Sequence, residues 1–176
     1  SKPAGHNHGS MEMEGETSQA DTTEVSHQHT EHLDTLVESY LNMKSALAED
    51  QLEEAKGHLK SFRAEVTQSA EMNNHPEHSA MHQQHHAAMV QAVDTRIQSK
   101  NIQELRAAFA DISKNLVMAL ENQGYDGKEL FLQYCPMADN KGGATWISES
   151  KQISNPYMGQ KMPTCGSTER TITQDS

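Results

Sequence analysis

Leu33, Leu36, Val37, Tyr40, Leu41 and Leu47 fall at three- and four-residue steps, and a chain that repeats such an apolar stripe is constrained to pack helix against helix. A second stripe follows in Leu52, Ala55, Leu59, Phe62 and Val66, with Asp50 in position to N-cap its helix. The stretch AEMNNHPEH interrupts the period with two Asn and a Pro, which reads as a turn and a proline-assisted helix start. A third helix is expected from about Glu77 to Ser99, burying Val90, Val93 and Ile97. Asn101 caps a fourth, whose stripe is Ile102, Leu105, Phe109, Ile112, Leu116 and Leu120 and which Gly124 ends. Four amphipathic helices joined by short turns predict an all-α fold, an up-and-down four-helix bundle.

Beyond Gly127 the pattern changes. LFLQYC and ATWIS are short β-prone runs, and DNKGG, NPY and MPTCG are turn-rich, so a loop-rich C-terminal cap is expected from about residue 128, with room for a small hairpin. At the other end, residues 1 to 25 show no apolar period and read as a disordered tail containing His6, His8, Met11 and Met13. The expected layout is therefore a tail, 1–25, followed by one helical-bundle domain with its cap, 26–172. No apolar run approaches the roughly 20 residues that span a bilayer. A net charge of −11 over 176 residues, with only 14 Lys and Arg and no basic cluster, argues against nucleic acid as a partner.

The chemistry concentrates in the cap. The chain has two cysteines, Cys135 in CPMADNKGGATW and Cys165 in NPYMGQKMPTCG, with Met137 and Met162 two and three residues from them. Thiolate and thioether are soft donors suited to Cu(I), whereas zinc sites combine thiolate with imidazole or carboxylate. The competing reading is a Cys135–Cys165 disulfide, worth roughly 3 kcal/mol on the chain-entropy model, which leaves Met137, Met158 and Met162 without a role. Met158, beside Tyr157 in a turn, reads as packing. With 11 His and 10 Met against three Phe, four Tyr and one Trp, the composition favours metal-capable side chains.

In HPEHSAMHQQHHAAM, His82 and His86 are four apart on a face that continues to Val90 and Val93, and His78 extends the row. That spacing lets two imidazoles reach one ion, although a histidine on an apolar stripe is also an ordinary core residue. His85, with Met81 and Met89, takes the neighbouring face and reads as solvated. Trp146 and Tyr134, flanking the first thiol segment, read as core. No nucleophile–base pair, phosphate loop or paired-acid constellation suggests an enzyme.

Together CPMADNKGGATWIS and ISNPYMGQKMPTCG resemble a family of uncharacterised copper-associated domains, found stand-alone in the cell envelope or appended to periplasmic adaptor subunits of copper and silver efflux pumps. YLNMKSALAED (Tyr40 to Asp50) and RAAFADIS (Arg106 to Ser113) are similar to that family's first and last helices, so the likeness covers about residues 30–172. The resemblance implies a helical bundle with a Cys-Met cap that handles copper through Cys135, Met137, Met162 and Cys165. Where the family often opens its third helix with a His-x-x-Trp-like step, this chain has a run of histidines, which leaves the imidazole ligand open among His78, His82 and His86. At Met158 the family more usually has an aromatic residue.

The resulting expectation is a periplasmic or envelope-anchored copper-binding protein for storage, delivery or efflux support, with an efflux-pump or envelope copper protein as partner and room for a lipid anchor. Its site would hold one Cu(I), or two copper ions bridged by the thiolates in an electron-transfer centre. A metal-free, disulfide-stapled interaction module is the alternative.

Overall fold

The computed structural model describes residues 33–72, 79–123, 125 and 127–172; the expected tail, the turn after Met72 and His78 lie outside them. Helix α1 occupies 33–48, α2 Leu52–Met72, α3 Ser79–Arg96 and α4 Ile102–Gln123, so each expected stripe becomes a helix. Leu36, Val37, Tyr40 and Leu47 of α1, Leu59 and Phe62 of α2, and Phe109, Ile112 and Leu116 of α4 are fully buried. Burying each such side chain supplies roughly 1.5–3 kcal/mol, which is what turns weak helical propensity into fixed helices. Among the described residues no helix is long and apolar enough to cross a membrane.

Two helix-level expectations change. Asn101 does cap α4, its side-chain oxygen accepting the Gln103 N–H at 3.0 Å. Asp50 does not act as the N-cap of α2. It stands at φ 60°, Gln51 intervenes before the helix, and its carboxylate is drawn to Arg106 of α4 instead. Among the described side chains of α3 the buried ones are His86, Met89, Ala92 and Val93, while Val90, and Ile97 just beyond the helix, are only partly covered. Met89 is therefore core and not solvated. The cause is that α3 packs against both α2 and α4, so two of its faces are enclosed and a flexible thioether fills the space between them. His85 is half-buried, its Nδ1 lying 3.2 Å from Asn115 Oδ1 of α4.

The cap corrects the all-α expectation. Strands β1 (Phe131–Cys135), β2 (Ala144–Ser148) and β3 (Ser167–Thr171) form an antiparallel sheet in the order β2-β1-β3. The hairpin allowed for is β1–β2, running from Phe131↔Ser148 to Cys135↔Ala144. β3 had no signal because STERT carries no apolar alternation and all five residues are exposed; its backbone pairing to β1 makes it a strand. The protein is thus a helical bundle closed by a three-stranded sheet.

Aromatic rings join the two parts. Tyr40 of α1 stacks on Phe109 of α4 at 4.7 Å, Phe109 meets Tyr157 of the cap at 5.6 Å, and Tyr157 meets the edge of Trp146 on β2 at 5.9 Å. Their hydroxyls are satisfied inside the same seam. Tyr40 Oη lies 2.6 Å from Ser113 Oγ and accepts the Ile147 N–H at 2.9 Å, while Tyr157 Oη donates to the Thr145 carbonyl at 2.6 Å.

Candidate functional site

Sheet register explains how cysteines 30 residues apart come together. β1 and β3 pair through Tyr134↔Ser167, and one further antiparallel step sets Cys135 opposite Gly166, with Cys165 beside it. The two Sγ atoms stand 2.6 Å apart, and both cysteines are free. Cys135 is fully buried at the end of the central strand, whereas Cys165 is half-buried on the loop before β3. Gly166 permits the approach. Its φ of +130° is one that side chains rarely adopt, and a Cβ there would lie 2.7 Å from the Tyr134 carbonyl and 3.0 Å from Trp146 Cη2.

The thiols differ in environment as well as exposure. The Cys165 thiol titrates above its ordinary value, first because of its hydrogen bond with Cys135, then through burial and the charge on Cys135; the Met137 backbone N–H pulls the other way. That last contact places the Met137 main chain at the Cys165 sulfur. Met162 is tied to the same residue, its carbonyl accepting the Cys165 N–H at 3.2 Å. The Met137 and Met162 side chains are 40% and 39% exposed, so neither thioether is consumed by core packing. Met158 is partly buried against the core, as the packing reading expects.

His86 falls elsewhere. His86 lines a groove between α2 and α3 with Arg63, Val66, Thr67 and Val90, and no residue of the cysteine segments lines that groove. His82 lies on α3, but its side chain is outside the described residues. Among the described residues, no group of three or more His, Cys, Asp or Glu side chains is placed to hold a metal ion. Among the described residues, no third His, Cys, Asp or Glu side chain joins the two thiols in such a group.

Sequence reasoning missed the residues that hold the second segment in place. Arg106, 5% exposed, donates to the Leu47 and Pro156 carbonyls, both at 2.7 Å, and to Asp50 Oδ1 at 2.6 Å. Asp50 Oδ2 accepts the Gln160 N–H at 3.1 Å. Gly159, at φ +60°, leaves room for this pair, since a Cβ there would collide with the Asp50 carboxylate. The local signal for the turn was the Asn-Pro dipeptide at 155–156, a pattern that favours turns built on the Asn side chain.

A family described as "Protein of unknown function (DUF3347)" matches residues 36–127, more than half of the chain. No curated protein matches, and no solved structure does. The family match covers the helices and stops short of β1, leaving both cysteines beyond it.

Proposed function

We propose that this chain, which belongs to the DUF3347 family of unknown function, binds copper as Cu(I) at the end of its bundle and serves copper storage, delivery or efflux support in the cell envelope. The observation that carries this reading is the meeting of the Cys135 and Cys165 sulfurs, with exposed Met137 and Met162 on the adjoining residues. Two thiolates with thioethers make a soft donor set. A structural zinc site asks for four Cys, His or carboxylate ligands, and the described residues supply only two at this place. Cys135, Cys165, Met137 and Met162 would hold the ion, which supplies the soft Lewis acid. The protein's own part is to keep one thiol buried and the other at the rim, where an ion can be passed on by ligand exchange. His86, in the α2/α3 groove, is left out of the set.

Anaerobic Cu(I) titration of the full chain against a competing chelator tests the proposal. One colourless Cu(I) per chain is expected, with Cys135→Ser or Cys165→Ser each weakening binding by more than about 100-fold and His86→Ala leaving it unchanged. Two coppers per chain with intense visible absorption would instead identify a thiolate-bridged electron-transfer centre. Undiminished affinity in both Cys variants, or a native protein two mass units below the dithiol form that takes up no copper after reduction, would overturn the copper reading.

A further inference from the structure

Asn155 is fully buried and reaches both ends of its loop. Its Nδ2 donates to the Cys165 carbonyl at 2.7 Å. Its Oδ1 accepts the backbone N–H groups of Tyr157 at 2.8 Å and Met158 at 2.9 Å. Its own N–H donates to the Pro163 carbonyl at 2.9 Å, and its carbonyl accepts the Gly159 N–H at 3.1 Å. One side chain thus shapes the turn that follows it and closes the 155–165 segment at the cysteine.

Three features bear on the Cys165 backbone. The Cys165 N–H is held by Met162, Gly166 sits against Tyr134, and the Cys165 carbonyl is held by Asn155. Fixing a residue's N–H and carbonyl fixes the direction of its Cα–Cβ bond, and hence where its sulfur points. We propose that Asn155 is the positioning residue of the sulfur site: its amide orients Cys165 so that the two thiols meet. The Asp50–Arg106–Gln160 clamp gives the comparison, because it grips the same segment at Pro156 and Gln160 without bonding to Cys165. General loosening of the loop would follow from damage to either anchor; loss of thiol alignment would follow from damage to Asn155 alone. The consequence for metal affinity rests on the copper reading, whereas the geometric role stands apart from it.

Asn155→Asp tests this in the full chain. The variant keeps the oxygen that accepts from Tyr157 and Met158 and puts a second carboxylate oxygen against the Cys165 carbonyl where the donor was. Asp50→Asn is the control for loop anchoring, and Asn155→Ser, which retains a short turn acceptor but cannot reach Cys165, serves should Asn155→Asp fail to fold. The first measurement is the effective concentration of the thiol pair, read by mass spectrometry after equilibration with reduced and oxidised glutathione; the second is anaerobic Cu(I) competition. Asn155→Asp is expected to lower the effective concentration at least about tenfold and Cu(I) affinity about 10- to 100-fold, while Asp50→Asn leaves both within about threefold. A fall in effective concentration with no Cu(I) binding even by the parent chain would support the positioning role and sink the copper reading. An unchanged effective concentration in both Asn155 variants, or an equal fall in Asp50→Asn, would overturn the positioning role.

Discussion

Asp50 shows how one residue can be read correctly as special and wrongly as to use. Its position ahead of a helical stripe suggested a cap; its positive φ and its bonds to Arg106 and Gln160 make it the peg that ties α4 to the cap loop. The hydrogen bond from Arg106, outweighing partial desolvation, holds the Asp50 carboxyl below its ordinary value. A depressed folded-state carboxyl contributes stability that is present above the unfolded value, about pH 3.9, and is lost as pH falls through the folded one. The urea midpoint of the parent chain is therefore expected to exceed that of Asp50→Asn at neutral pH, with the gap closing below about pH 4. A gap of constant size from pH 7 to pH 2 would contradict the pairing.

Among the elements, α4 joins the bundle to the cap. It packs against α3 and β2, supplies Phe109 to the aromatic column, and sends Arg106 to the cap loop. Phe109→Ala should cost about 3–5 kcal/mol, because it leaves a cavity between Tyr40 and Tyr157 that neither rigid ring can fill. Trp146 is the only tryptophan and lies one ring beyond Tyr157, so its fluorescence reports on the same seam. Denaturation of the variant followed by that signal and by far-ultraviolet dichroism checks the claim; a loss under 1 kcal/mol would mean that the column packs without depending on Phe109. β3 is the opposite kind of element. Its exposed side chains bury nothing, and its place is set by backbone pairing to β1, including a register shift between Leu132 and Gln133, together with polar contacts from Thr168 to Gln133 and the Lys151 carbonyl and from Arg170 to Glu121.

For the molecule as a whole, the proposed copper reading makes the bundle a support and gives the chemistry to the cap. Donors drawn from two segments 30 residues apart meet only in the folded state, so a bound ion should stabilise that state by mass action. Free Cu(I) at 100 times its dissociation constant is expected to raise unfolding stability by about 2.7 kcal/mol, less any binding to unfolded thiols. Thermal unfolding with and without Cu(I) under reducing conditions measures it. No shift in the parent chain, or an equal shift in Cys165→Ser, would show that the ion is not held by the folded pair.

The helices were legible residue by residue. Leu36, Val37, Tyr40, Leu59, Phe62, Phe109 and Ile112 announce their burial by spacing, since helical periodicity is a local property that a stretch of chain carries with it. Strands β1 and β2 were legible for a similar reason, and the soft character of Cys135, Met137, Met162 and Cys165 is written in their side chains. What tertiary structure alone decided is which of these groups meet. Pairing the exposed β3 with β1, threading Gly166 past the Tyr134 carbonyl and spending Asn155 on the Cys165 carbonyl are long-range choices made by backbone hydrogen bonds and close contacts, for which no periodicity exists. The same choices left His86 in the groove between α2 and α3, because a helix that packs on two neighbours has two inner faces and its sequence does not say which neighbour each will meet.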